Sequence, residues 1–515
     1  MNKSAQKEIL ILTLCLLIGF ALRFYTFDQK SLWVDEVHTL NDSKDDLKGQ
    51  IKFYQDNPSY LHPPLFFILT HQLYPFTKPE RDLRIIPLIL GVLSIPMIYL
   101  LARSFSPFIA LPCTLCLTFM TYHIYFSQDA RMYSLLMFLG MASLYFLLKH
   151  LETLRKKYLV LVAILYAALF HTSYSSILFI ILSQMLWFFR INEGRRRSIL
   201  SSFLILNGLT LFLCIPWILF ILSSYKGQPM MDPLHRESPG AFKDIIYWML
   251  NDWAPKPPLI IFSVSLLVLF PFFSKNKENA YVLLGVLILP VAGLYLFCNL
   301  FKITHFITSR YFILFLPFFF ITLYLSLHAI EMRFERLNKF MPLTLLFTAL
   351  FIISNIFIFP LYYRSEKQDF RGLTIYLKNQ IQNGDMIFVG TMAYMPGILH
   401  YFGVDPQKRH YVTLFQRDAE EKVQYKVALN ISNKMITLYN SQICCSNYTA
   451  DGSRLWIIAS REAAKKIKEN SRCILKGYFD GTFANFRRFP TNASMYLYLW
   501  DPSSPEEKGI DVPID

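Results

Sequence analysis

The chain has 515 residues, 54% of them hydrophobic and only 17% charged, against roughly 25% charged in a soluble protein. A chain this apolar cannot keep its surface in water as a monomeric globule, which excludes a string of soluble domains, a disordered protein, a collagen-like repeat and a small disulfide scaffold. The excess of 51 Lys and Arg over 36 Asp and Glu gives a net charge of +15; in a membrane protein that charge belongs to cytoplasmic loops, so no nucleic-acid partner is expected.

A helix needs about 20 mostly apolar residues to cross the hydrocarbon core. The first candidate is Ile9–Phe27. Lys3 and Lys7 precede it and place the N-terminus in the cytoplasm. It lacks a small-x-small cleavage site before Arg23, and many spans follow, so it reads as an uncleaved helix rather than a signal peptide. Further spans are expected at Ile85–Ala102, Pro107–Phe126, Met132–Leu148, Tyr158–His171, Ser175–Phe189, Ile199–Leu222, Leu259–Phe273, Ala280–Leu300, Tyr311–His328 and Met341–Pro360, about eleven in all. Basic clusters fall on alternate connections (Arg103; Lys149 with 155–157; Arg190 with 195–197; Lys275 and Lys277; Arg333, Arg336 and Lys339) and all lie on the cytoplasmic side. Pro63–Phe76 is short, contains His71 and Gln72, and would invert every later loop if it crossed; it is expected to lie along the outer interface.

Two outer loops (28–84 and 223–258) and the region after residue 360 then face away from the cytoplasm. The second loop carries an amphipathic stretch, Phe242–Trp253. Beyond residue 360 the apolar runs shorten. Phe370–Gln382 and Arg461–Asn470 read as helices, Asn383-Gly384-Asp385 as a turn, and Met386–Val389, Leu455–Ala459 and Met495–Leu499 as buried strands. The expected fold class is therefore a polytopic α-helical membrane protein, residues 1–360, with a small C-terminal α/β extracytoplasmic domain, 361–515. Of eight cysteines, Cys444, Cys445 and Cys473 lie in that domain, where Cys473 could bridge one of the other two. No cysteine or histidine spacing suggests zinc.

Chemistry-bearing residues gather at the predicted outer membrane surface. Asp35 and Glu36 follow Trp33 just past the first span. His62 stands before Pro63-Pro64. Asp129 and Arg131 are forced to the surface by a very short connection between spans. Lys302, His305 and Arg310 cluster ahead of Tyr311, and His171 sits in a hairpin turn. Each alone has an ordinary reading: an interfacial Trp with a solvated acidic turn, a surface salt bridge, snorkelling cations. Together they place carboxylates and cations on one side of the membrane and none at mid-bilayer, where a transporter would be expected to hold them. Such a site suits a substrate with a polar head in water and a tail in lipid.

Four stretches, LWVDE (Leu32–Glu36), HPPL (His62–Leu65), SQDARMY (Ser127–Tyr133) and SRY (Ser309–Tyr311), occur in a recognisable order and spacing. On them the chain resembles the GT-C superfamily of polytopic glycosyltransferases. It looks most like the bacterial branch of glycosyltransferase family 39, related to the protein O-mannosyltransferases and the lipid A aminoarabinose transferase. The turn His171–Tyr174 resembles a further motif of that family with its order altered. The likeness runs from about Ile9 to Pro360, more loosely over Asp369–Gly403.

The resemblance implies a glycosyltransferase that takes a sugar from a polyprenyl-phosphate donor (undecaprenyl phosphate in bacteria) and attaches it to an acceptor lipid, glycan or protein outside the cytoplasm, in the cell (inner or plasma) membrane. Asp35 matches the first-loop catalytic aspartate, with Glu36 its neighbour, and Asp129 the second acidic position. Arg131 and Arg310 match positions near the carrier phosphate, joined by Lys302 and Tyr311; His62, His171 and His305 are candidate substrate contacts.

The chemistry supports these roles independently. A sugar on a lipid phosphate has a good leaving group, so it needs cations for the departing phosphate and a base for the acceptor proton, Asp35. Direct displacement would invert the anomeric centre. Mg²⁺ or Mn²⁺ could bridge Asp35, Asp129 and the phosphate, but family members using lipid monophosphate sugars generally need no metal, and no cofactor is expected. The alternatives are a lipid-linked oligosaccharide ligase, a transporter or flippase for lipid-linked sugars, or a receptor built on the outer domain.

Overall fold

The computed structural model of the chain describes residues 3–512 apart from 57–61, 191–195, 225–239, 301–306, 335–341, 405–424, 441–452, 469–472, 482–493, 502–508 and 511. The chain as far as Arg364 is a helical bundle. It begins with α1 (Lys3–Phe24), followed by four short helices in the first loop: α2 (Val34–Asp42), α3 (Leu47–Asp56), α4 (Leu65–His71) and α5 (Pro79–Asp82). Next come α6 (Ile85–Phe105), α7 (Pro107–Phe119), α8 (Thr121–Ser127), α9 (Tyr133–Thr153), α10 (Lys156–Thr172) and α11 (Ser176–Ser183). Then follow α12 (Arg196–Ser224), α13 (Phe242–Trp253), α14 (Pro257–Phe273), α15 (Lys277–Leu300) and α16 (Leu316–Arg333), and finally the helices Leu343–Ile356 and Phe359–Arg364.

Every predicted span contains an apolar helix, and the count of eleven full crossings is not confirmed. Among the described residues six helices are long and apolar enough to cross a membrane, or up to eight if two sharply bent pairs each count as one span. The predicted span Pro107–Phe126 is one of those pairs: α7 and α8 meet at 62°. The predicted span Ser175–Phe189 is α11 followed by a 3₁₀ turn over Gln184–Arg190. The segment 63–76 contains only the seven-residue α4, about 10 Å long at 1.5 Å per residue, too short to cross. The amphipathic stretch 242–253 is helical as expected, and bends by 105° into α14.

The break between α7 and α8 has a physical cause and a consequence. Met120 is extended (φ −69°, ψ 112°), which frees the last carbonyls of α7. Arg23, buried in α1, donates to two of them, Leu117 O (2.9 Å) and Thr118 O (3.1 Å). Asn355 Oδ1 accepts from Thr121 N at 2.8 Å, satisfying a donor at the start of α8. The break ends α7 at Phe119, and α8 runs on at a new angle only as far as Ser127, where 128–131 turn back. Close packing holds α8 there: a Cβ on Gly91 of α6 would lie 2.1 Å from Ser127 Oγ.

The C-terminal region forms a six-stranded sheet with strands β1 (Met386–Val389), β2 (Tyr425–Ile431), β3 (Lys434–Asn440), β4 (Leu455–Ser460), β5 (Ile474–Phe479) and β6 (Met495–Trp500) in the order β2-β3-β1-β4-β6-β5. β1 runs parallel to both β3 and β4, and the other pairs are antiparallel. Helices Phe370–Gln380 and Met395–Phe402 bury Phe370, Leu373, Leu377 and Ile398 against one face. Helix Arg461–Lys468 puts Ala464 against the other, beside Tyr496 and Tyr498. The three predicted strands and both predicted helices are present. Cys444 and Cys445, and so any bridge to Cys473, lie outside the described residues.

Candidate active site

Asp35 and Glu36 occupy the first turn of α2. Neighbours on a helix point about 100° apart, and here they face different surroundings. Glu36 turns inward and is fully buried. Its carboxylate takes a two-pronged pair from Arg84, Nε to Oε1 at 2.7 Å and Nη2 to Oε2 at 2.5 Å. It also accepts Ala130 N at 2.8 Å and reaches back to Trp33 N at 3.3 Å, capping its own helix. Arg84 spends its other donors on the carbonyls of Phe27, Lys30 and Ser31. Those partners outweigh the upward push of burial and hold the Glu36 carboxyl below its ordinary range.

Asp129 lies in the turn after α8, also fully buried. Its Oδ1 accepts from Trp33 Nε1 and from Lys367 Nζ, both at 2.8 Å. Its Oδ2 is buried and, among the described residues, has no hydrogen-bond partner. Burial raises its pKa, Lys367 opposes that rise, and Glu36 adds to it.

Asp35 faces the other way and is about a quarter exposed. Its Oδ2 is 3.2 Å from Arg310 Nη1. Arg131 Nη1 donates to the Asp35 carbonyl and to Thr39 Oγ1, both at 3.3 Å. Burial raises the Asp35 pKa, but Arg131, Arg310 and His38 together bring it below the ordinary aspartate value. His38, one turn along α2, is lowered to about 4 by burial and by Arg131, with Asp35 opposing. His62 is exposed at the edge of the site, where Arg131 and His38 push its pKa down and Asp35 opposes them. Arg310 also lies over the Tyr311 ring, 5.5 Å from its centre. Its neighbour Ser309 is pinned by a 2.5 Å hydrogen bond to the buried Asp252 of α13.

The site is thus one carboxylate between two arginines, with the imidazoles of His38 and His62 close by. Of the predicted residues, Asp35, Arg131, Arg310, Tyr311 and His62 come together. Glu36 and Asp129 come together too, behind the site. His171 does not join them: it sits at the end of α10, 3.4 Å from Leu213 O and edge-on to Trp217. Lys302 and His305 lie outside the described residues. Three residues were missed: His38, Arg84 and Lys367. His38 stands three residues from Asp35 and shares its helix face, a signal available once 34–42 is read as helix. Arg84 and Lys367 carry no local signal. Among the described residues no cluster of three or more His, Cys, Asp or Glu could hold a metal, and the arginines beside Asp35 suit an anion rather than a cation.

Residues 61–220 match the sequence profile of the dolichyl-phosphate-mannose-protein mannosyltransferases. The fold is similar to that of ArnT from Cupriavidus metallidurans in the apo state, with a TM-score of 0.53 and 9% identity over 99% of this chain and 100% of that one. It is equally similar to ArnT bound to undecaprenyl phosphate, with a TM-score of 0.52 and 10% identity over the same shares. No curated protein matches the chain. The chain has an ArnT-like fold, and residues 61–220 carry the sequence profile of a glycosyltransferase family. Of the sequence-based readings, the enzyme stands ahead of transporter and receptor.

Proposed function

We propose that the protein transfers a sugar from a polyprenyl-phosphate donor to an acceptor hydroxyl on the extracytoplasmic side of the cell membrane, by inverting displacement with Asp35 as general base. The observation that carries this reading is the Asp35 carboxylate set against Arg310 with Arg131 alongside. A carrier phosphate would take the two guanidinium groups, and the acceptor oxygen would approach from the Asp35 side. The acceptor oxygen bonds to the anomeric carbon as the bond from that carbon to the phosphate oxygen breaks. The electron pair leaves with the phosphate, and the acceptor proton passes to Asp35. The depressed Asp35 pKa keeps the base ionised in the free enzyme. A donor phosphate competing for Arg310 and Arg131 would relax that hold and make the carboxylate more basic when it is needed.

Glu36 and Asp129, enclosed among Arg84, Lys367 and Trp33, are assigned to holding the site rather than to reacting. The basic loops support a cytoplasmic N-terminus, with residues 1–360 as the catalytic membrane domain and 361–515 as the outer domain. The likeness to ArnT, solved with undecaprenyl phosphate, supports the donor class. The test is a transfer assay in detergent with a panel of labelled polyprenyl-phosphate sugars. Release of free polyprenyl phosphate with the label moving to an acceptor is expected. Movement of intact donor across liposome membranes with no cleavage would contradict the proposal.

A further inference from the structure

Four buried charges lie directly behind Asp35, contributed by distant parts of the chain. Glu36 belongs to α2, Arg84 precedes α6, Asp129 follows α8, and Lys367 belongs to the strap that leads into the sheet domain. Lys367 is 1% exposed. Its Nζ lies 2.8 Å from Asp129 Oδ1, 2.9 Å from Gln128 O and 3.4 Å from Glu36 Oε1. Three acceptors use all three donors of an ammonium, and the Tyr125 ring lies 4.6 Å away on a further side.

Glu36 has Arg84 as a second cation, whereas Asp129 has Lys367 alone as a salt-bridge partner among the described residues. The two carboxylates repel each other, and Lys367 is the group that lies between them. Glu36 is the chain neighbour of Asp35, and Asp129 is two residues from Arg131. A shift of either carboxylate therefore moves a residue of the site.

We infer that Lys367 is a positioning residue that locks the Asp35 helix to the Arg131 turn, fixing the spacing between the base and the phosphate-binding cation. This rests on the reading of Asp35 and Arg131 given above. The lock is electrically balanced, two anions against two cations. Lys367→Met leaves one buried carboxylate uncompensated, a strongly unfavourable change, and Lys367→Met/Asp129→Asn restores the balance.

The test uses the full-length protein in detergent, with two readouts: turnover of the donor that the wild type cleaves, and binding of undecaprenyl phosphate. Lys367→Met is expected to lower turnover by about 30-fold or more and to weaken undecaprenyl phosphate binding by about fivefold or more, because both site residues shift. The double variant is expected to recover most of both losses. A smaller folded fraction would lower turnover and leave the dissociation constant unchanged, so the binding readout separates positioning from simple destabilisation. A single variant with wild-type affinity, or a double variant no better than the single, overturns the inference. Full turnover by Asp35→Asn would instead remove the reading of the base, while the lysine lock would still be judged on the binding data.

Discussion

At the residue scale the site separates two adjacent carboxylates by environment. Asp35 meets solvent and two arginines; Glu36 is enclosed by Arg84, Lys367 and the Ala130 amide. Arg310→Met removes the side-chain partner of Asp35 and one of the two cations assigned to the phosphate. It should raise the donor KM and lower kcat together, by about 10²-fold or more in kcat/KM, measured by steady-state release of polyprenyl phosphate. The pH dependence follows from the directions of the shifts. The proposed base Asp35 must be ionised, and its pKa lies below the ordinary aspartate value, so activity should be lost only as pH falls through that lowered value. His38 is lowered to about 4 and stays neutral at higher pH. Neither Asp35 nor His38 should therefore put an inflection into the kcat/KM profile between pH 5.5 and 7.5, the range about the ordinary imidazole pKa of roughly 6.5. An inflection near 6.5 that disappears in His38→Gln would show that His38 titrates there in the free enzyme.

At the element scale the site depends on a helix that stops early. The turn bearing Asp129 and Arg131 exists because α7 breaks at Met120 and α8 ends after seven residues. Gly91→Val would drive a side chain into Ser127 of α8, where even a Cβ is too close. Overpacking of this kind costs about 1–3 kcal/mol. It should lower the melting temperature in detergent and, by tilting α8, reduce turnover by more than the loss of folded protein explains. Apolar runs long enough to see made the helices of the bundle legible in the sequence. The break was not legible, because it depends on Arg23 and Asn355 arriving from distant helices to satisfy the freed backbone groups. In the sheet domain, β1, β4 and β6 were legible as short runs buried on both faces. The β2–β3 hairpin was not: Lys426, Asn430 and Lys434 interrupt its apolar residues, and its Ser432-Asn433 turn, with φ of 52° and 63°, lacks the Asn-Gly or Asp-Gly signal of such turns.

At the scale of the whole molecule, the strap and the sheet domain take part in building the site. Residues 366–371 and Tyr401 grip the first loop. Glu366 accepts Ser31 N at 2.8 Å, Tyr401 accepts Leu32 N at 2.7 Å and Gln368 accepts Val34 N at 3.0 Å. Arg371 adds an ion pair to Glu80 at 2.7 Å, and Tyr401 donates to the same carboxylate. The backbone of the segment carrying the DE motif is thus held by side chains more than 300 positions later in the chain. The motifs gave Asp35, Arg131 and Arg310 from the sequence because those residues recur at fixed places in a pattern. The strap escaped notice because its contacts are made only after folding. A chain ending at Arg364 keeps the apolar bundle but loses Lys367 and this grip. It should reach the membrane and show less than about a hundredth of wild-type turnover, given the buried carboxylates left unpaired. Turnover by that truncated chain at the wild-type rate would show that the bundle alone sets the site.

The central claim is that Asp35 takes the acceptor proton while the arginines hold the phosphate. The most direct test is a single-turnover comparison of wild type and Asp35→Asn, each preloaded with the same labelled polyprenyl-phosphate sugar. Removing a general base typically costs about 10²- to 10⁴-fold. Asp35→Asn should therefore bind the donor at least as tightly as wild type, since Arg310 is freed from its carboxylate, and transfer the sugar slower by that factor. Transfer at the wild-type rate by Asp35→Asn would contradict the account.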